Sequence, residues 1–304
     1  MQEDGFSQSS FYSGNLTHPV YADVLTPFRP DTKRLPILLI HGAFHTGSAY
    51  LTTPDGRDGW APFFASLGRR IYVMDWPGHG RSPAGPDFHE LSGKDIVRSA
   101  GQLIEEIGPC VLLAHSAGGP IAWQLAESHS AYVKGIIGVA PGGPANLQPA
   151  LPDDPKAVAA LRYDQAAGCP IYSDPSQIFY VDADFIRDYW ANSPRFPAAA
   201  VDRYARSIVG ESPRILNERF RIGGAGLAVE DPAKIAARPI LIVTGELDPR
   251  HPREVDARVA RYFGADFYFL PDRGITGNGH MLMLEDNSDQ IAELIEAWMS
   301  DQGI

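Results

Sequence analysis

Short apolar runs recur along the chain, and each ends abruptly at small or polar residues. The runs occupy residues 36–40, 70–74, 111–114, 135–140, 240–244 and 267–270. Because they are apolar without alternation, they predict strands of a parallel sheet that is covered on both faces. Segments with helical periodicity lie between them, at residues 60–67, 92–107, 121–128, 252–263 and 287–299. This order predicts an α/β fold, with a mostly parallel central sheet flanked by helices.

The start of the chain has a different pattern. Residues 11–13 and 20–25 predict two short strands that flank Gly14-Asn15. A turn of this composition between two strands is typical of an antiparallel hairpin. We expect the hairpin to form one edge of the sheet.

The alternation of strands and helices also stops after the sixth predicted strand. From there to residue 238, Pro, Gly and Asp interrupt short helical pieces such as residues 184–192 and 198–209. We therefore expect residues 142–238 to form a helical cap. The cap is inserted into a core domain made of residues 1–141 and 239–304.

Composition and charge narrow the range of partners. A chain of 304 residues with 44% hydrophobic residues can bury one large core without disulfides or metal ions. The net charge of -11 argues against binding to nucleic acid or to an anionic membrane, since their phosphates would repel the chain. Small molecules are therefore the expected partners. Composition and charge do not indicate the oligomeric state.

The cysteine spacing and the start of the chain indicate the cellular compartment in which to expect it. Cys110 and Cys169 lack the close spacing of a zinc or redox motif, so neither a disulfide nor a metal site is expected. Residues 1–10 are polar and acidic, unlike a signal peptide, and nowhere do 18 apolar residues run together. We expect a cytoplasmic chain that does not span a membrane.

A candidate nucleophile stands where the strand over residues 111–114 gives way to a helix. The residues two positions before and after Ser116 are Ala114 and Gly118. Small residues are needed at these two positions because strand and helix pass close to each other. Such a turn strains the backbone of the serine and exposes its Oγ at the carboxyl edge of the sheet, an arrangement called a nucleophile elbow. An ordinary strand-to-helix turn is the alternative interpretation, and Ala114 departs from the usual glycine.

The remaining parts of an acyl-transfer site follow other predicted strands. His280 lies in a glycine-rich loop after the last strand, where it could act as general base for Ser116. Asp248 and Glu246 lie in the loop after the first strand beyond the cap, and either carboxylate could orient His280. Asp248 is the better candidate, since Pro249 suits a turn that projects its side chain back toward the sheet. Glu246 is the alternate.

An oxyanion hole needs two preorganised N–H donors, because negative charge develops on the carbonyl oxygen at the transition state. The N–H of Ala117 is one candidate. The second should come from the loop that follows His41-Gly42, with Ala43 as the first choice and Phe44 as the alternate.

Other polar and aromatic residues are candidates for the substrate pocket. His45 and the cap aromatics Phe179, Tyr180 and Trp190 could line it, although aromatic residues at helical spacing are more often core. His41, His79 and His115 form no metal-ligand pattern, and we expect no metal or organic cofactor. Asp75 is expected to hold its own turn through its side chain.

Taken together and in this order, Ser116, Asp248, His280, His41-Gly42 and the turn over residues 75–82 resemble the α/β-hydrolase superfamily. The resemblance implies an α/β-hydrolase fold over essentially the whole chain. Two motifs are similar to a branch of bacterial serine esterases: TTPDGRDGW at residues 52–60 and GNGHMLM at residues 277–283.

One position departs from the esterase branch. That branch includes a member with its acid in a Val-Glu-Pro-Gly setting before the cap, where this chain has Val139-Ala140-Pro141-Gly142. The acid cannot lie there, which favours Asp248, the commoner position in the superfamily.

The resemblance implies a serine hydrolase of carboxylic esters or lactones that works through an acyl-enzyme on Ser116. Cleavage of an activated carbon–carbon bond by the same residues is an alternative, as is a non-catalytic ligand-binding protein. Epoxide hydrolase chemistry is disfavoured, because enzymes of that type use an aspartate where this chain has Ser116.

Overall fold

The computed structural model describes residues 5–159 and 172–304, so Cys169 lies outside the described residues. Within them, eight strands form one sheet. They are β1 (Phe6–Gly14), β2 (Pro19–Pro27), β3 (Ile37–Ile40), β4 (Ile71–Asp75), β5 (Cys110–His115), β6 (Val133–Val139), β7 (Ile240–Thr244) and β8 (Asp266–Phe269). The mostly parallel sheet expected from the sequence is confirmed.

The sheet has the strand order β1-β2-β4-β3-β5-β6-β7-β8. β1 pairs antiparallel with β2, and β2 pairs antiparallel with β4, so the predicted hairpin forms one edge. All further neighbours are parallel. The carboxyl ends of β3 to β8 therefore meet at one edge of the sheet, where ligands of open α/β sheets usually bind.

The described helices cover both faces of the sheet and fill the connection from β6 to β7. They are α1 (Ser48–Leu51), α2 (Trp60–Ser66), α3 (Gly93–Ile107), α4 (Gly118–Ser128), α5 (Pro155–Ala159), α6 (Ala183–Phe185), α7 (Val201–Ala205), α8 (Pro213–Arg219), α9 (Pro232–Ala236), α10 (Arg253–Phe263) and α11 (Ser288–Asp301). None of these helices is long and apolar enough to cross a bilayer.

Alternate side chains of the central strands enter two separate hydrophobic cores. In β3, Ile37 and Leu39 pack with α2 and α11 on one face, while Leu38 and Ile40 pack with α3, α4 and α10 on the other. Both faces of the strand are fully buried. This explains why the central strands are apolar runs without alternation.

The connection between β6 and β7 differs in part from the prediction. α6 continues into a single π-helical turn over Ile186–Trp190, close to the helix expected at residues 184–192. The helix expected over 198–209 ends at Ala205. It ends because the chain must reach back to the core, where the N–H of Val209 donates to the carbonyl oxygen of Phe44 at 2.9 Å.

Candidate active site

Ser116 occupies the turn between β5 and α4 with a strained backbone. Its φ of 51° is in the left-handed region, which non-glycine residues rarely adopt. Backbone hydrogen bonds hold it there: the N–H of Ser116 donates to Val139, and its carbonyl accepts from Gly119 and Gly142 at 2.9 and 2.7 Å. A Cβ on Gly118 would lie 2.7 Å from the carbonyl oxygen of His41, which explains the glycine at that position.

His280 connects Ser116 to Asp248. Its Nε2 lies 3.2 Å from Ser116 Oγ, and its Nδ1 lies 2.7 Å from Asp248 Oδ2. Burial lowers the pKa of His280 below its ordinary value, although Asp248 acts in the opposite direction. The imidazole is therefore neutral at pH 7 and can accept a proton from Ser116.

Asp248 has a second set of partners that fix its orientation. Its Oδ1 accepts the backbone N–H groups of Arg250 and His251 at 2.8 and 3.0 Å, so that Oδ2 is left for His280. Burial alone would raise the pKa of Asp248, but the attraction to His280 and these hydrogen bonds lower it below the ordinary range. The side chain is thus a buried carboxylate in direct contact with the imidazole.

Glu246, the alternate acid, has a different partner. Its Oε2 accepts the N–H of Gly277 at 2.7 Å, in the loop that carries His280. The N–H of Leu247 also donates to the carbonyl of Asn278 at 2.8 Å. Glu246 therefore ties the two loops together, and the structure does not bring its carboxylate to the His280 ring.

A buried carboxylate that the sequence did not reveal also orders the His280 loop. Glu285 accepts the N–H of Gly279, the side-chain amide of Asn278 and the hydroxyl of Ser193, each at 2.6 Å. Burial raises the pKa of Glu285 above its ordinary value. Because Ser193 belongs to the connection between β6 and β7, this network joins that connection to the loop.

The two esterase-like motifs meet at the same loop. Arg57, from residues 52–60, donates to the carbonyl of Glu285 at 3.0 Å and to the hydroxyl of Ser288 at 3.1 Å. Trp60 donates its indole N–H to the carbonyl of Ser288 at 2.9 Å. Residues 52–60 therefore support the turn that directly follows the GNGHMLM motif at residues 277–283.

Two backbone N–H groups beside Ser116 are candidates for an oxyanion hole. Within residues 5–159 and 172–304, the N–H groups of Ala43 and Ala117 have no acceptor, and both residues border the cavity at Ser116. The sequence also offered the N–H of Phe44 as an alternate donor, and the structure corrects this expectation. The N–H of Phe44 donates to Glu211 Oε2 at 3.1 Å and is not free for a substrate oxygen.

The loop of Ala43 to His45 is clamped by residues from the connection between β6 and β7. Phe44 has a φ of 65°, and its carbonyl accepts the N–H of Val209 while its N–H donates to Glu211. His45 donates from Nδ1 to the carbonyl of Ala43 at 2.8 Å and accepts the hydroxyl of Tyr204 at Nε2, at 2.7 Å. The clamp holds the two peptide groups that follow the N–H of Ala43 along the chain.

Glu211 is fully buried and faces the buried imidazole of His79. His79 Nε2 lies 3.2 Å from Glu211 Oε2, and His79 Nδ1 lies 3.0 Å from the carbonyl of Pro77. Burial would lower the pKa of His79, but the carboxylate raises it above its ordinary value. No local sequence pattern could have identified this pair, because the two residues are 132 positions apart.

Three further histidines near the site, His41, His45 and His115, are buried and neutral. Burial lowers the pKa of His41 to about 3 and that of His45 to about 4. It also holds the pKa of His115 well below the ordinary range, and His115 Nε2 lies 3.1 Å from the carbonyl of His280. Asp75 accepts the N–H groups of Gly47 and Arg81 and so holds its turn, as expected.

A cavity of about 190 Å³ opens at Ser116. Ala43, Ala117 and His280 border it, and so do the predicted pocket residues His45 and Trp190. The other two predicted aromatics do not border this cavity. Phe179 packs edge to face against Phe44 and borders a smaller neighbouring pocket, while Tyr180 is 68% exposed.

Comparison with known proteins agrees with this architecture. The sequence profile of the Alpha/beta hydrolase family matches residues 37–294. A probable secreted lipase of a fungal species is 26% identical, over 97% of this chain and 90% of the lipase. Because that relative is described as secreted, the expectation of a cytoplasmic chain stays a prediction.

Solved structures of esterases and lipases share the fold. A monoacylglycerol lipase of Paleococcus ferrophilus has a TM-score of 0.64 at 19% identity, covering 98% of this chain and 99% of that one. A thermophilic esterase of Thermogutta terrifontis has a TM-score of 0.62 at 17% identity, covering 98% and 100%.

Proposed function

The chain belongs to the alpha/beta hydrolase family, and on that premise we propose that it is a serine hydrolase of carboxylic esters or lactones. The observation that carries the proposal is the continuous line of hydrogen bonds from Asp248 through His280 to Ser116 Oγ. The backbone N–H groups of Ala43 and Ala117 beside the serine, which have no acceptor in the described part of the chain, support it. The same residues can perform both halves of an acyl transfer.

In the first half, Ser116 Oγ attacks the carbonyl carbon while His280 Nε2 takes its proton. The negative charge that develops on the carbonyl oxygen is stabilised by the N–H groups of Ala43 and Ala117. Asp248 keeps a proton on Nδ1 of His280 and stabilises the imidazolium that forms. His280 then gives its proton to the leaving alcohol, and the acyl group remains on Ser116.

In the second half, water enters where the alcohol has left. His280 takes a proton from the water as its oxygen attacks the acyl carbon, and the second tetrahedral intermediate collapses as His280 returns that proton to Ser116 Oγ, which releases the acid and regenerates the neutral serine and imidazole. The proposal assigns no step to a metal ion or an organic cofactor.

We further propose that residues 142–238 form a cap over this site. Trp190, Ile215 and Leu227 from this segment border the cavity, so the cap supplies much of its apolar wall. The clamp on Phe44 and the hydrogen bond from Ser193 to Glu285 connect the cap to both catalytic loops.

The proposal is tested with p-nitrophenyl acetate and butyrate and with a fluorophosphonate probe. Purified protein should hydrolyse the esters and become labelled at Ser116. Ser116→Ala should lose labelling and about 10⁶-fold in kcat, because the nucleophile and its base act as a unit. Ser128→Ala, a serine at the other end of α4, is the matched control and should keep both properties.

Three outcomes would change the conclusion. Hydrolysis that persists in Ser116→Ala removes the proposed nucleophile. Faster turnover of 1,3-diketones than of esters favours carbon–carbon bond cleavage, and absence of both turnover and labelling favours a ligand-binding protein.

A further inference from the structure

A second histidine lies beside the proposed catalytic one. His251 follows Asp248 by three residues, and its ring stacks on the His280 ring with 5.4 Å between centroids and 17° between planes. It borders the cavity that opens at Ser116. The acyl-transfer steps described above use His280 and leave His251 without a role.

His251 is held by its own buried carboxylate. Its Nδ1 lies 2.9 Å from Asp256 Oδ1, and Asp256 is completely buried at the start of α10. The other oxygen of Asp256 accepts the hydroxyl of Thr244 at 2.6 Å. A carboxylate anchored on both oxygens fixes the orientation of the ring it binds.

The other edge of the ring has no hydrogen-bond partner within residues 5–159 and 172–304. His41, His45 and His79 each have both ring nitrogens paired with protein groups. His251 Nε2, by contrast, has no hydrogen-bond partner among the described residues, and it is not a buried atom. Since Nδ1 faces Asp256, Nε2 is on the edge of the ring that can meet a molecule in the cavity.

The mechanism determines which part of an ester lies near this edge. The carbonyl oxygen faces Ala43 and Ala117, and the leaving oxygen must come within hydrogen-bond reach of His280 Nε2 to receive its proton. The alcohol portion therefore leaves Ser116 on the side of His280. His251, stacked on His280, borders this portion.

We propose that His251, anchored by Asp256, binds a hydroxyl group on the alcohol portion of the substrate, which makes hydroxyalkyl esters the preferred substrate class. This inference rests on the proposed serine hydrolase function. A hydroxyl can donate to Nε2 of a neutral imidazole or accept from Nε2–H of an imidazolium. It therefore matches His251 in either protonation state, whereas an alkyl group leaves Nε2 desolvated without a partner.

The test compares esters that differ only by a hydroxyl in place of a methyl group: 2-hydroxyethyl against n-propyl butyrate, and 3-hydroxypropyl against n-butyl butyrate. The native protein should favour at least one hydroxy ester about tenfold in kcat/KM, as one hydrogen bond of this type provides. The difference should appear in KM, because the hydroxyl is bound in the ground state and the transition state alike. Rates are measured on the alkaline plateau, where His280 is neutral.

His251→Phe keeps an aromatic ring against His280 but removes Nε2, and it should bring both ratios to about one. His89→Phe, the same substitution at a partly exposed histidine outside the cavity, should keep them. If the buried carboxylate destabilises His251→Phe, the double variant His251→Phe with Asp256→Asn removes the unpaired charge. Labelling by the fluorophosphonate confirms that each variant retains a folded site.

Failure of this inference can be told apart from failure of the proposed function. Equal turnover of all four esters by the native protein overturns the role of His251 and keeps the hydrolase. A preference that survives in His251→Phe assigns the hydroxyl to another residue. If no ester is turned over and Ser116 is not labelled, both proposals fall.

Discussion

Asp248 and Glu246 lie two residues apart in the loop after β7, yet their carboxylates have different partners. Asp248 is buried with its oxygens shared between His280 and two backbone N–H groups, while Glu246 is exposed and bonded to Gly277. The difference arises from the turn at Pro249, after which Arg250 and His251 direct their N–H groups back at Asp248. The turn thus holds Asp248 against the His280 ring and Glu246 against the loop that carries His280.

Exchanging each acid for its amide tests this difference. Asp248→Asn should lower kcat by about 10⁴, because a neutral amide favours the wrong tautomer of His280 and cannot stabilise the imidazolium. Glu246→Gln should change kcat by about threefold or less, since an amide oxygen still accepts the N–H of Gly277. Steady-state kinetics with p-nitrophenyl butyrate measure both, and a larger loss in Glu246→Gln would reassign the acid.

Some residues of the site can be predicted from the sequence because each has a local signature. Ser116 stands between small residues at a strand-to-helix turn, and Asp248 and His280 follow strands in turn-rich loops. Glu211 and Glu285 have no such signature. Their importance arises from burial and from partners such as Phe44 and Ser193, which only the folded chain brings to them.

Strands were easier to predict than the helices of the connection between β6 and β7. The central strands are buried on both faces and appear as apolar runs, but the first half of β1 is exposed and polar. β1 therefore begins at Phe6, where the sequence pattern predicted only residues 11–13. Short helices such as α7 end where a backbone contact to the core requires it, which periodicity alone cannot show.

The clamp from the connection to Phe44 leads to a prediction about catalysis. Glu211→Ala should release the loop that carries the N–H of Ala43 and lower kcat by about 10²-fold, since a small misplacement of an oxyanion donor weakens transition-state stabilisation. KM should change little. Glu211→Gln should recover part of the loss, because its amide oxygen can still accept the N–H of Phe44.

The control for the clamp is Glu230→Ala, an exposed carboxylate of the same connection, which should keep kcat. Melting temperatures separate a catalytic effect from general destabilisation. A Glu211→Ala variant that melts earlier but keeps its kcat would make the clamp purely structural.

At the scale of the whole molecule, the resemblance to the α/β-hydrolase superfamily and to esterases is confirmed by the family match and by the shared fold. The order of motifs along the chain carried that prediction, because each motif follows a different one of the parallel strands β3 to β8, and these strands end at one edge. The same packing buries several histidines without charge. Stability must therefore depend on pH wherever a buried histidine is neutral in the folded chain and protonated in the unfolded one.

His45 offers the cleanest test of this dependence. Burial lowers its pKa from 6.5 to about 4, so between these values the unfolded chain binds a proton at this residue that the folded chain does not. Its contribution to the free energy of unfolding is complete above pH 6.5 and is lost as the pH falls, by about 1.4 kcal/mol per pH unit. His45→Gln should be less stable than the native protein at pH 7.5, and by pH 4.5 this deficit should shrink by about 2–3 kcal/mol, as urea denaturation would measure.

Tyr204→Phe, which removes the hydroxyl bound to Nε2 but keeps the buried ring, should keep the native pH dependence. Parallel curves for His45→Gln and the native protein would show that His45 does not titrate in this way.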